Sequence, residues 1–584
     1  MRIPWKERIF LFLLIELSFF LPQFSFAQNF SNFQNYPKNY FGSPLLIPLK
    51  VISNFGGYRE NHFHSGLDLS TGGKQGLIVL ASAEGYLSRV KIQSGGYGKV
   101  IYITHPNGLI TVYAHLKKFS KKIQDTVDLI QNSNQRFEID VYFPKNQIRF
   151  NKGEHIAFSG NTGNTGGPHL HFEIRDEKTE EIINPLVFGL PVYDHIKPII
   201  SQIVLYEVPK QNEPQNLIKV YTYPVTYRGS GIYNLESKPV LEEGVPYVLG
   251  IVAEDKSDGA IYPSCVFETS LYQNQKLIFS SRLLRFGFNQ TRSINSFLDF
   301  PSFKSNHQKI QKSFIDPGNS LPIYAENHSI PFINGKSGNK LFLKYKVEDI
   351  AGNSSELNFQ IGFQKKFKPE SIIESSFIKK PTIPYLLVPF STPYTVHESK
   401  LSLFFPKNSL FNNLIWSPIS QGKNQILLGD ENIPIKDSLL IRVNLSYLKF
   451  PGIINPEKFY FEINHKPIDT YLEKDSLTAW IKTFGELQIK EDTVPPYLIF
   501  GNWKNALILK KGSEINFKFG DKGSGIKSYN AYLDGKWILL DYDEKNNEGK
   551  IQFSENLSSG KHDLNLSIID KKGNQKKEKL NINF

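Results

Sequence analysis

The residues best able to do chemistry lie between His62 and His171, a stretch holding seven of the chain's 13 histidines. Three motifs stand out: His64-Ser-Gly-Leu-Asp68, Tyr113-Ala-His115-Leu, and Gly-Pro-His169-Leu-His171-Phe-Glu-Ile. Catalytic zinc is held by three protein ligands, drawn from neutral imidazole and carboxylate, with a fourth position left for water. His64 and Asp68, with Gly66 between them, read as a turn entering a strand. His169 and His171 are two apart, so on a strand both imidazoles project to the same face. One can bind metal while the other holds water. Taken singly, a His-x-His is a weak metal signal and Asp68 could merely cap a turn; the joint pattern raises the odds of a metal site.

Positioning these side chains requires strands. Leu77 to Ser82, Tyr86 to Gln93, Lys99 to Thr104 and Leu109 to His115 have strand length and β-branched content, and Asn107-Gly108 signals a hairpin between the last two. An antiparallel meander follows. Between Ser120 and Phe150, Ile123, Val127 and Ile130 recur at helical spacing, and Phe137, Ile139, Val141 and Phe143 alternate as in a strand. That segment reads as an insertion of one short helix and an added hairpin.

Asn-Phe-His64-Ser-Gly-Leu-Asp68, Tyr113-Ala-His115-Leu and Ser159-Gly-Asn-Thr-Gly163, followed by Gly-Pro-His169-Leu-His171-Phe-Glu, resemble the lysostaphin or LytM-type zinc metallopeptidases, which cut peptide bonds in peptidoglycan. The resemblance covers roughly residues 45–190. It implies one zinc per chain held by His64, Asp68 and His171, with His169 and His115 as catalytic histidines. It also implies a groove lined by antiparallel sheet, in agreement with the meander. Within that scheme His169 takes the water's proton and passes it to the leaving amine, and His115 donates to the developing oxyanion. The insertion at 120–150 departs from the family, whose members often cross this interval with far fewer residues; it either rims the groove or occludes it.

Other residues carry less. His62 has no place in the family pattern, His105 reads as a turn residue and His155 as an exposed strand residue. Arg59 fits either a substrate carboxylate or a structural ion pair. The glycines from Gly160 to Gly167 shape the groove wall rather than cradle phosphate, since no P-loop lysine follows them. Cys265 lies outside the motifs, so a thiol nucleophile is not expected.

Length and composition frame the site. A chain of 584 residues exceeds a single core, and its 13% aromatic content, with little long helical periodicity, favours a mainly β class. Arg2, Lys6 and Arg8 precede an apolar run, Ile9 to Leu21, and Phe24-Ser25-Phe26-Ala27 places small residues where a signal peptidase reads. A secretory signal spanning 1–27 is expected, leaving a mature chain with no transmembrane helix, in the periplasm or envelope or secreted. Cys265 is the only cysteine, so neither an internal disulfide nor a lipid at the cleavage site is available. The net charge of +12 suits an anionic surface such as the wall, or a merely soluble protein. The expected partners are peptidoglycan and, through the C-terminal β-domains, other envelope proteins; nucleic acid is not among them.

The remaining chain reads as a lead-in at 28–44, the metallopeptidase domain at 45–190, and three β-domains at 191–365, 366–490 and 491–584, the first and last of them immunoglobulin-like sandwiches. Two motifs recur in those two. Gly229-Ser-Gly-Ile232 echoes Gly523-Ser-Gly-Ile526, and Asp349-Ile-Ala-Gly-Asn353 echoes Asp570-Lys-Lys-Gly-Asn574, the latter pair as turn chemistry for a last hairpin. The leading expectation is an exported zinc endopeptidase acting on peptidoglycan stem peptides or cross-links. A catalytically silent wall-binding module or activator of another murein hydrolase is the alternative, and a zinc peptidase cutting non-wall proteins a third.

Overall fold

The computed structural model describes residues 35–208, 220–260, 262–325, 330–366, 386–398, 401–416, 420–421, 425–447, 455–501 and 507–584. The expected signal segment lies outside the described residues. Among them, no helix is long and apolar enough to cross a membrane. The chain is mostly β, 48% strand and 8% helix.

The metal motifs sit on one antiparallel sheet. Its strands are β1 (Val51–Ser53), β2 (Leu67–Ser70), β3 (Gly85–Ile92), β4 (Lys99–Thr104), β5 (Leu109–Ala114), β6 (Ile139–Tyr142), β7 (Arg149–Phe150), β8 (His169–Asp176) and β9 (Ile182–Ile183). The hydrogen-bonded order is β1-β2-β8-β5-β4-β3-β6. Alternating aliphatics drive it: Val90, Ile92, Ile101, Ile103, Tyr113, Leu170, Phe172 and Ile174 are buried and fill one core. Gly108 makes the β4–β5 turn at φ 76, where a side chain would be strained. His105, at the head of that turn, is buried and structural: Nδ1 donates to the Glu84 carbonyl at 2.7 Å and Nε2 accepts from Thr111 Oγ1 at 2.8 Å. The described part of the lead-in, residues 35–44, is irregular, yet Tyr36 and Phe41 pack their rings on Phe188, so the core reaches back into it.

The insertion contains a helix, α1 (Lys121–Asn134), which buries Ile123, Val127 and Gln131. No hairpin follows it. β6 and β7 both pair with β3, against Arg89–Ile92 and Gly85–Tyr86 in turn. An unpaired sheet edge is a liability, and here the inserted residues cover one. They therefore lie along the sheet edge, with three strands, β5, β4 and β3, between β6 and β8.

The second domain shares the first one's core. β9 pairs with Arg285–Phe286, and Phe286 packs against Phe55 and Phe63 with ring centroids 4.9 and 5.2 Å apart. Ile199–Glu207 and Lys340–Glu348 are strands, as their composition predicts, and the long strand Val220–Gly229 pairs at one end with Ile199–Glu207 and at the other with Ile232–Leu235. Farther on, two five-stranded sheets close over a core containing Leu403, Phe405, Trp416, Phe461 and Phe484. The last domain is a sandwich of a four- and a five-stranded sheet around Phe517, Phe519, Leu566 and Ile568.

The two Asp-x-x-Gly-Asn motifs are equivalent in the fold. Each makes the turn between two long strands, and each Asn side chain reaches back to the linker that enters its domain: Asn353 Nδ2 donates to the Asp194 carbonyl at 3.1 Å, Asn574 Nδ2 to that of Asp492 at 2.9 Å. The Gly-Ser-Gly-Ile echo is not structural. Gly229–Ile232 turns one hairpin, whereas Gly523–Ile526 follows the strand Glu514–Gly520, a place taken in the second domain by Asp255-Lys-Ser-Asp-Gly.

The last domain also touches the first. Lys99 Nζ pairs with Asp541 Oδ2 at 2.5 Å, Ser94 Oγ donates to Glu544 Oε2 at 3.3 Å, and Lys545 Nζ donates to the Asn161 carbonyl and to Thr165 Oγ1. Phe137, from the insertion, faces Tyr529. The insertion thus supports the far domain.

Candidate metal centre

β8 runs between β2 and β5, and the register sets Asp68 directly opposite His171 on one side and Ala114 opposite it on the other. His115, just past β5, has a left-handed backbone at φ 60, uncommon for a residue with a side chain and frequent at functional sites. His64 arrives through Ser65-Gly66, and Gly66 is required there: a Cβ would fall 2.3 Å from the Phe172 carbonyl oxygen.

Three donor atoms converge. His64 Nε2, Asp68 Oδ1 and His171 Nδ1 each stand 3.0 Å from the other two. The outer nitrogen of each imidazole is engaged elsewhere. His64 Nδ1 donates to the Asn54 carbonyl at 2.8 Å, and His171 Nε2 donates to Glu173 Oε1 at 2.8 Å. Both rings thereby turn their other nitrogen inward. Two imidazole nitrogens and a carboxylate oxygen aimed at one point are the donor set zinc takes, and these three residues could hold a metal ion.

The surroundings are charged and buried. Burial pushes the His64 imidazole down despite the neighbouring Asp68. Burial works against ionised Asp68, but the adjoining His64, His169 and His171 outweigh it and hold the carboxyl well below the usual range. Arg59 Nη2 lies 3.1 Å from Asp68 Oδ2 and 2.7 Å from Ser53 Oγ. Of the two readings open for Arg59, this is the structural ion pair.

His169 and His115 complete the cluster, their rings 4.9 Å apart. Both donate from Nδ1 to a backbone carbonyl, His169 to Gly167 at 2.8 Å and His115 to Thr162 at 2.9 Å. In the neutral form each therefore presents a bare Nε2. Burial, with the neighbouring histidines, pushes His115 down to about 3, so it is neutral at ordinary pH. All five residues singled out by the motifs come together. His62 stays apart, with Nδ1 at 3.0 Å from the Glu60 carbonyl, and His155 is half-buried with Nε2 on the Ala157 carbonyl. Cys265 is buried and its thiol donates to the Phe55 carbonyl.

Sequence reasoning passed over Glu173 and Arg175. Glu173 is fully buried and accepts from His171, from Ser65 Oγ at 2.6 Å, from the Tyr97 hydroxyl, and from Arg175 Nε at 2.7 Å. Burial opposes its charge, but Arg175 and His171 hold its carboxyl well below the usual range. The signal was available: positions 169, 171, 173 and 175 alternate along one strand face.

Residues 62–131 match the model of Peptidase family M23. The chain carries an M23 domain. The match stops within α1, so His169 and His171 lie beyond it. The chain is 31% identical over 197 residues to the DD-carboxypeptidase/endopeptidase Mpg of Neisseria meningitidis serogroup B, covering 32% of this chain and 38% of that one. It is 29% identical over 137 residues to the murein hydrolase activator NlpD of Salmonella dublin, covering 24% of this chain and 28% of that one. The chain thus spans well under half the length of these relatives. The catalytic domain of the antimicrobial peptidase lysostaphin from Staphylococcus simulans is similar over 24% of this chain and 91% of its own, at 22% identity and a TM-score of 0.18. M23 peptidases are zinc-dependent, and in this M23 domain the group that could bind the ion is His64, Asp68 and His171.

Proposed function

We propose that the chain is an exported zinc metalloendopeptidase that hydrolyses peptide bonds in peptidoglycan stem peptides or cross-links. The observation that carries the reading is the triangle of His64 Nε2, Asp68 Oδ1 and His171 Nδ1, each imidazole locked from behind by its own acceptor. A relative named as an endopeptidase and another named as a murein hydrolase activator support the reading. These three residues hold one zinc, which when bound supplies hydroxide near neutral pH and polarises the scissile carbonyl.

The remaining work falls to residues of the chain. His169 Nε2, bare because Nδ1 is spent on Gly167, accepts the proton of the attacking water and returns it to the leaving amine. His115 starts in the same tautomer. Its Nε2 is an acceptor in that tautomer, and it would donate toward the oxyanion in the other one, with the ring proton carried on Nε2 instead of Nδ1. Arg59 holds Asp68 in place by its second oxygen.

The test is digestion of purified sacculi by the full chain with zinc, with mass spectrometry of the released fragments. New amino termini should appear with the native protein and be lost with a chelator or with His169→Ala. Intact sacculi with the native protein, or equal cleavage by His169→Ala, would overturn the reading. A silent activator is the second reading, favoured by the last domain's Lys545 resting on the glycine loop beside His115. It predicts binding to sacculi that survives Asp68→Ala, without cleavage by the native chain.

A further inference from the structure

A second group of oxygen donors lies where the linker from the M23 domain enters the next one. Asp194 comes from that linker, Asp255 follows the strand Tyr247–Glu254, and Asp349 opens the Asp-x-x-Gly-Asn turn. Each offers one carboxylate oxygen, all within 4.8 Å of one another. Asp255 and Asp349 are each only 3% exposed. Among the described residues, no lysine, arginine or histidine pairs with any of the three. Asp194 accepts from the Ile196 amide at 3.1 Å and from the Ser257 side chain, the Asp349 oxygens accept from Asn353, and Asp255 has the Lys256 amide. Asp255 Oδ1 has no hydrogen-bond partner. A buried carboxylate oxygen without a donor, beside two further carboxylates, is costly unless a proton or a cation meets it.

We propose that Asp194, Asp255 and Asp349 hold a calcium ion. An all-oxygen set of carboxylates without imidazole or thiolate suits a hard cation, and calcium tolerates irregular geometry better than magnesium does. Burial pushes the Asp255 carboxyl up to about 8, with Asp194 and Asp349 adding to it, which is the strain a cation relieves.

The last domain supplies an internal contrast. Asp492, Asp521 and Asp570 occupy the equivalent three places and also lie within 4.8 Å of one another. There the oxygens are served by the protein. Asp521 Oδ2 accepts from the Gly523 and Gly525 amides at 2.9 and 2.8 Å, and Asp492 Oδ2 from the amide and hydroxyl of Ser524 at 2.8 and 2.6 Å. The Gly-Ser-Gly loop turns its amides back onto the carboxylates. After Asp255 the run Lys-Ser-Asp-Gly leaves Oδ1 bare, so the proposal is confined to the first triad.

The experiment titrates calcium chloride into the full chain, freed of calcium and kept saturated with zinc, following heat release and the thermal midpoint. One calcium per chain is expected, with a Kd on the order of 10⁻⁴–10⁻³ M, typical of extracellular modules. Asp255→Asn should weaken binding by roughly tenfold or more and abolish the calcium-dependent rise in midpoint, while Asp521→Asn leaves both unchanged. Without calcium, the Asp255→Asn midpoint should be no lower than the native one, because the change removes like-charge repulsion; Asp194→Asn, on the half-buried linker, serves if Asp255→Asn does not fold. No heat and no midpoint shift up to about 10 mM calcium would overturn the proposal. So would native affinity in Asp255→Asn and Asp194→Asn, or loss of binding on Asp521→Asn.

Discussion

Glu173 shows how far the metal centre extends behind its ligands. It takes the proton side of His171, and it is held in turn by Arg175, Tyr97 and Ser65. Glu173→Gln keeps the shape but removes the charge. Partners in this position typically contribute 10–100-fold in metal affinity, so zinc binding should weaken by about that factor, read by competition with a chromogenic chelator. The same change strands the buried Arg175 guanidinium, so urea unfolding should also show a loss of about 3–5 kcal/mol. The five motif residues were legible because their types and spacing report shared faces of strands. The roles of the two catalytic histidines were less so, since a tautomer depends on which carbonyl lies behind the ring, and no spacing rule supplies the Thr162 and Gly167 contacts.

The hairpin of β4 and β5 depends on a histidine that its sequence disguises. His105 next to Pro-Asn-Gly looks like part of the turn, yet burial pushes its imidazole down to about 4. Unfolded, it titrates near 6.5. Between those values the unfolded chain binds the extra proton, so stability is intact above about pH 6.5 and is lost as pH falls toward 4, by up to about 3 kcal/mol. Urea unfolding at pH 7 and pH 4.5 should show this loss in the native chain and a smaller one in His105→Gln. At this scale the strands themselves were readable, β4 to the residue, because alternating β-branched positions mark them. The hairpin expected in the insertion was not found, since pairing depends on which edge is free, and β3 offered one.

Across the whole molecule, the strands before and after residue 190 pack onto one core. Phe286 is fully buried between Phe55 and Phe63, and Asn54, whose carbonyl holds His64, is itself held through its amide by Ser264 Oγ at 3.2 Å. Phe286→Ala should cost about 3–5 kcal/mol and split one cooperative unit into two. Hydrogen exchange would then show Ile199–Glu207 and β8 opening at different denaturant concentrations, where the native chain opens them together. Composition could not announce this joint core, because each side is apolar for its own sheet, and the β9 pairing and the Phe286 packing that join them link residues far apart in sequence.

The contact of Lys545 with the loop at 161–165 joins segments made at very different times. A chain emerging from its amino-terminal end completes His64, Asp68, His115, His169 and His171 long before residue 545 is synthesised, and domains generally fold as they appear. The newborn M23 domain therefore passes through a stage in which its glycine loop lacks the clasp. Any restraint that the clasp places on the cleft arrives last.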